Sequence, residues 1–235
     1  MLNLSLLVNE KELLRFCKTV VPELKKDEVL IAMIVARKKY GEISRSEEIL
    51  DKTILKESKP EYIIRKLRKL GYVEECYIDF NTGQTIPSKC IAMYIDLSPK
   101  STIRAFNLFN KEINEWAYQA ITSDKFDIKT FRKIDTKLFS ALARSTSRQP
   151  YFIIDIDNKD KKTLNNTIEL LKEHIVWISE TRGGYHIITR KNNESGYIIH
   201  NNLNNKENIE IFSKQGQTPV PGSLQGGFLV RGIRR

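Results

Sequence analysis

The chain has 235 residues, 40% apolar and 29% charged, a balance that suits a soluble globular protein with one large domain or two small ones. It contains no run of about 18 apolar residues, which argues against a helical membrane span, and its apolar N-terminus lacks the basic leader and small-residue cleavage site of a secretory signal. A net charge of +10, from 39 Lys and Arg against 29 Asp and Glu, favours a polyanionic partner, nucleic acid first, with a simple solubility surplus as the alternative.

Taken in chain order, residues 10–18 read as a short helix ending before Pro22. Residues 27–36 are apolar throughout their centre and suit either a buried strand or a helix. The basic group Arg37, Lys38, Lys39 follows. Pro60 opens an amphipathic helix over 61–70, closed by Gly71. Two strand-like runs, 72–80 and 89–97, flank the turn residues 81–84 and predict a hairpin. Residues 98–102 read as a turn with a helix cap, followed by helices over 103–121 and 131–143. The polar stretch 144–150 leads into a strand at 151–157. Beyond it come a helix over 164–174, strands at 176–180 and 185–189, a polar helix or loop over 192–208, and strands at 209–212 and 228–231. Cys17, Cys76 and Cys90 are scattered and odd in number, which fits reduced thiols in a cytosolic setting.

Within the 151–157 strand, Asp155 and Asp157 are two residues apart and therefore share a face, while Ile154 and Ile156 point the other way. Two adjacent carboxylates repel, and a divalent cation such as magnesium or manganese relieves that repulsion through oxygen ligation. The motif alone reads either as a metal site for phosphoryl or nucleotidyl transfer or as a solvated strand end. Downstream, Thr181-Arg182-Gly183-Gly184 forms a turn whose glycines allow close backbone approach to a phosphate, and Arg182 adds a planar cation. His186 alternates with Tyr185 and Ile187 and so lies on the face opposite those two. A chance histidine after a Gly-Gly hairpin is the plain alternative.

An Asp-x-Asp strand, a small-residue turn with histidine roughly 30 residues on, and an acid on a later strand together resemble the archaeo-eukaryotic primase superfamily, in particular its primase-polymerases of phages, plasmids and mobile elements. The likeness covers about residues 150–235 and includes the segment Pro219-Val220-Pro221-Gly222-Ser223-Leu224-Gln225-Gly226-Gly227. It implies three acids holding two Mg2+ or Mn2+ ions, with a histidine at the phosphates of the incoming nucleotide. Asp155 and Asp157 match the first motif, His186 the second, and Glu210 is the candidate third acid, where the family usually carries aspartate. Arg182, Gly184 and Lys214 become candidates for holding the triphosphate.

The fold expected from this reading is α+β: an RRM-like antiparallel sheet with helices in the C-terminal half, packed against a mixed α/β N-terminal module. Residues 1–98 would form that module, and 99–235 a helical connection and the catalytic module. The expected activity is that of a DNA primase or primase-polymerase acting in the cytoplasm, or in a host's if viral, with no membrane association. Its partners would be single-stranded DNA template, nucleoside triphosphates and a separate replicative helicase. Arg37, Lys38, Lys39, Arg144 and Arg148 are candidates for following the template phosphates. A metal-dependent nuclease is one alternative. A non-catalytic nucleic-acid-binding module is another, since the helix at 61–70 followed by the 72–97 hairpin resembles a winged helix.

Overall fold

The computed structural model describes residues 3–73, 76–79 and 81–233. The first helix, α1 (Glu10–Val20), starts where the Asn9 side chain accepts a hydrogen bond from the Glu12 amide, and it buries Leu13, Phe16, Cys17 and Val20 along one stripe. The ambiguous apolar segment is a strand, β2 (Glu28–Arg37), with nine of its ten residues buried. Both of its faces are covered, so its sequence lacks the alternation that marks a half-exposed strand. Next come β3 (Glu47–Leu55) and α2 (Pro60–Lys69), which has proline in its first turn and buries Ile63 and Leu67.

Among the described residues the predicted 72–97 hairpin does not form. A short strand β4 (Tyr72–Val73) pairs instead with β1 (Asn3–Leu4). Around the turn the described residues make an Ile78–Thr85 bridge, and Glu74, Glu75 and Phe80 lie outside the described residues. The second run becomes β5 (Ile91–Ser101), which is wholly buried and pairs with β2. Burial on both faces draws β5 into the centre of the main sheet, which leaves no wing beside α2. β5 also runs through all but the last residue of the turn expected at 98–102, and Ser101 then caps α3 (Thr102–Thr122) by accepting from the Arg104 amide. A 3₁₀ stretch at Ile128–Lys133 precedes α4 (Ile134–Arg144), so the helix expected from residue 131 starts three residues later.

The C-terminal half continues with β6 (Tyr151–Ile156), α5 (Lys161–Leu171), β7 (Ile175–Glu180), β8 (Tyr185–Arg190), α6 (Asn193–Asn202) and β9 (Ile209–Phe212). Asp160 caps α5, and Asn192 with Ser195 makes a reciprocal capping box on α6. The chain then returns to the first sheet through β10 (Gln217–Pro219) and β11 (Leu224–Gln225), both paired with β5. The final strand expected at 228–231 is split: β12 (Phe228–Leu229) pairs with β11, and β13 (Arg231–Gly232) pairs with β7.

Two larger antiparallel sheets result, in an α+β architecture. The first has the order β12-β11-β5-β2-β3 with β10 also on β5, and the second the order β13-β7-β8-β6-β9. The first sheet thus draws strands from both sides of residue 98. Its Leu30, Ala32, Ile34 and Ala36 side pack with α1 and α2 residues, joined by Trp177 and Ile188 of the second sheet. Ile154, Ile156, Tyr185 and Ile187 pack in a separate core with Leu164 and Leu171 of α5 and Ile199 of α6. Among the described residues no helix is long and apolar enough to cross a membrane.

Candidate active site

Strands β8, β6 and β9 lie side by side, and Asp155 is the register partner of both His186 and Glu210. Residues directly opposite in an antiparallel pair project from the same face. The row His186–Asp155–Glu210 therefore stands on one side of the sheet, away from α5 and α6, because Ile154 and Ile187 occupy the helix-covered side. Asp157 lies just past the end of β6, its amide donating to the Asn208 carbonyl at 2.9 Å.

These four side chains line one cleft of about 310 Å³. Its opposite wall comes from the first sheet: Met33, Val35 and Arg37 are alternate residues of β2, Tyr94 comes from β5, and Lys39 from the turn after β2. Two sheets distant in sequence thus bring Asp155, Asp157, Glu210 and His186 together with two cations, and Glu47 of β3 also lines the cleft.

His186 donates through Nε2 to Asp155 Oδ1 at 2.9 Å. Burial pushes the Asp155 carboxyl up, but the His186 hydrogen bond and the positive charges of Lys39 and Arg37 outweigh it, leaving the group below the ordinary aspartate range. Asp155 is accordingly held ionised. Nδ1 of His186 is buried and has no hydrogen-bond partner among the described residues. Lys39 Nζ stands 4.0 Å from Asp157 Oδ1. Arg37 donates to the Tyr94 hydroxyl at 2.9 Å and lies 3.9 Å from Glu47.

The other predicted site residues are placed elsewhere. Arg148 lies against Glu28, with Nη2 3.0 Å from Oε2, and Arg144 pairs with Glu112 at 2.5 Å. Both guanidiniums are engaged within the protein, with Arg148 joining the segment before β6 to the start of β2. The Arg182 guanidinium sits 5.0 Å over the Tyr40 ring and points to the Tyr40 and Lys89 carbonyls, away from the carboxylate row. Gly184 is packed on the end of β6, where a Cβ would collide with the Ile156 carbonyl oxygen, so its smallness serves backbone packing. Lys214 is exposed and is not part of the cleft lining, although its neighbours Gln215 and Gln217 are; Lys38 is likewise exposed and outside it.

Sequence reasoning missed a polar network behind the cleft. Gln225 accepts from the Arg182 amide at 2.9 Å and donates to the Tyr40 and Tyr94 hydroxyls at 2.7 and 3.4 Å. Burial, with Tyr94 beside it, pushes the Tyr40 phenol above its ordinary value, so Tyr40 stays neutral. The backbone at Gly226 has φ +57°, and a Cβ there would strike Arg182. The glycines after Gln225 thus let this loop reach between the two sheets. The available signal was the unbroken Leu-Gln-Gly-Gly run, whose partners Tyr40, Tyr94 and Arg182 come from three other segments.

The donor chemistry fits a divalent cation of the magnesium or manganese type. Asp155, Asp157 and Glu210 turn three hard carboxylates toward one cleft. Among the described residues no three His, Cys, Asp or Glu side chains are grouped as ready-made metal ligands. Glu210 and Asp157 are exposed, which leaves them free to change rotamer, while His186 fixes Asp155. Set against known proteins, the chain matches no family model, no curated protein and no solved structure.

Proposed function

We propose that this chain is a template-directed nucleotidyltransferase, a small primase-polymerase that makes or extends primers on single-stranded DNA with magnesium or manganese. One observation carries the reading: Asp155, His186 and Glu210 stand in a single cross-strand row, with Asp157 beside them, facing a cleft walled by Arg37 and Lys39. The strand–helix–strand–strand–helix–strand order from β6 to β9, with β7-β8-β6-β9 adjacent in space, supports an RRM-like catalytic sheet. The net charge of +10 supports a polyanionic template. The unpaired Cys17, Cys76 and Cys90 are compatible with a cytoplasmic setting, where nucleoside triphosphates and a separate replicative helicase would be met.

Asp155, Asp157 and Glu210 hold the metals in this reading. Ions held there would supply Lewis acidity toward an attacking 3′-hydroxyl and positive charge against the departing pyrophosphate. His186 keeps Asp155 in one rotamer through its Nε2 hydrogen bond. Arg37 and Lys39 present positive charge to the triphosphate from the opposite wall. On the side of the first sheet the cleft is bounded by Tyr94 and the apolar Met33 and Val35.

The test is incorporation of labelled nucleotide on a single-stranded template with manganese. Asp155→Ala should abolish incorporation while circular dichroism and the melting profile remain those of a folded protein. Retained activity in that variant would remove the site assignment, and template cleavage without extension by the unaltered chain would favour a nuclease.

A further inference from the structure

The cleft holds two cations in different situations. Arg37 is tied to Tyr94 at 2.9 Å and to Glu47 at 3.9 Å, so its guanidinium is committed to the wall. Lys39 has a half-exposed side chain, and its ammonium faces Asp157 at 4.0 Å with the Tyr40 ring 5.7 Å away. Its charge also reaches Asp155. A long flexible stem thus places a movable positive charge beside the carboxylates that suit a divalent cation.

Resting on the nucleotidyltransferase reading above, we propose that Lys39 is a coupling residue that makes metal loading depend on nucleotide. A divalent cation entering alone between Asp155 and Asp157 meets the ammonium as a like charge and loses part of the field those acids supply. A nucleoside triphosphate brings several negative charges and gives the ammonium another partner. Lys39 then leaves Asp157 for a phosphate oxygen, and the opposition to the metal ends. Metal and nucleotide therefore bind cooperatively, each raising the other's affinity by the same factor. The benefit is that bare metal does not fill the site ahead of the substrate.

Binding of manganese ions to the full chain, read from the electron paramagnetic resonance signal of the free ion, tests this without turnover. Measurements are made with manganese alone and with a non-hydrolysable nucleoside triphosphate analogue. Lys39→Gln should bind manganese about two- to fivefold more tightly than the unaltered chain when no nucleotide is present, the scale set by a half-exposed ion pair. The enhancement produced by the analogue should shrink by the same factor. Lys39→Arg should retain the coupling. Lys38→Gln removes the same net charge from a neighbour outside the cleft and should bind manganese as the unaltered chain does.

An affinity in Lys39→Gln equal to that of Lys38→Gln, or weaker than that of the unaltered chain, overturns the coupling role and leaves the metal site standing. Failure of both the unaltered chain and Lys39→Gln to take up manganese, with or without the analogue, overturns the two-metal reading and the coupling together.

Discussion

Glu28 and Arg148 separate a structural role from a template-binding one. The Glu28 side chain is only 1% exposed, and its carboxylate accepts from Arg148 Nε and Nη2, the Ser147 hydroxyl and the Lys25 amide. Burial pushes its pKa up, but the Arg148 hydrogen bonds and the other donors outweigh this and hold it at about 2, against an ordinary 4.5. The folded pKa lies below the unfolded one, so the stabilisation is complete above about pH 4.5 and is lost as pH falls toward 2. A shift of that size corresponds to about 3 kcal/mol at neutral pH, and the partly exposed Arg148 lowers the working figure to about 2–3 kcal/mol. Glu28→Gln should therefore melt about 4–12 °C below the unaltered chain at pH 7. The gap should shrink by about half or more at pH 3, where the unaltered chain has itself lost most of the contribution. Arg148→Gln should lose comparable stability yet keep its affinity for single-stranded DNA. Thermal unfolding followed by circular dichroism at the two pH values, with fluorescence anisotropy for the DNA, measures both. Equal melting temperatures at pH 7, or a gap independent of pH, would refute the buried-pair assignment. Arg148→Gln with intact stability and weakened DNA binding would return that residue to the template.

His186→Ala should reduce manganese affinity about 10- to 100-fold, because Asp155 loses the hydrogen bond that orients it. Titration of the folded variant checks this, and an unchanged affinity paired with a raised KM for nucleotide would move His186 onto the phosphates instead. Gln225→Leu should cost about 1–3 kcal/mol in urea unfolding, since the buried Tyr40 hydroxyl and the Arg182 amide lose their partner. No change in its unfolding midpoint would mean that water replaces the side chain without penalty.

The C-terminal half was more legible in the sequence than the N-terminal half. Strands β6 to β9 fall close to their expected places, while α5, expected over 164–174, starts three residues earlier behind its Asp160 cap and gives way to a 3₁₀ turn at Lys172–His174. The sequence predicts a 72–97 hairpin because both runs have strand-like composition and a turn between them, yet β5 is captured by β2 from far along the chain. Strand propensity reports that a segment is extended and says nothing about its neighbour.

The same division runs through the candidate site. That Asp155 and Asp157 share a face, with Ile154 and Ile156 opposite, follows from the two-residue alternation of any strand and was readable from a few adjacent letters. That Asp155 stands between His186 and Glu210 depends on the pairing register of three strands spread over some 55 residues, and a slip of one position would turn a whole row to the other face. Arginines carried no such label: Arg37 faces the cleft, whereas Arg144, Arg148 and Arg182 are taken up by Glu112, Glu28 and Tyr40. Side-chain direction is a local property of the backbone, but which charge finds which partner is settled by long-range packing, because a buried ion must be matched by whatever the fold brings beside it.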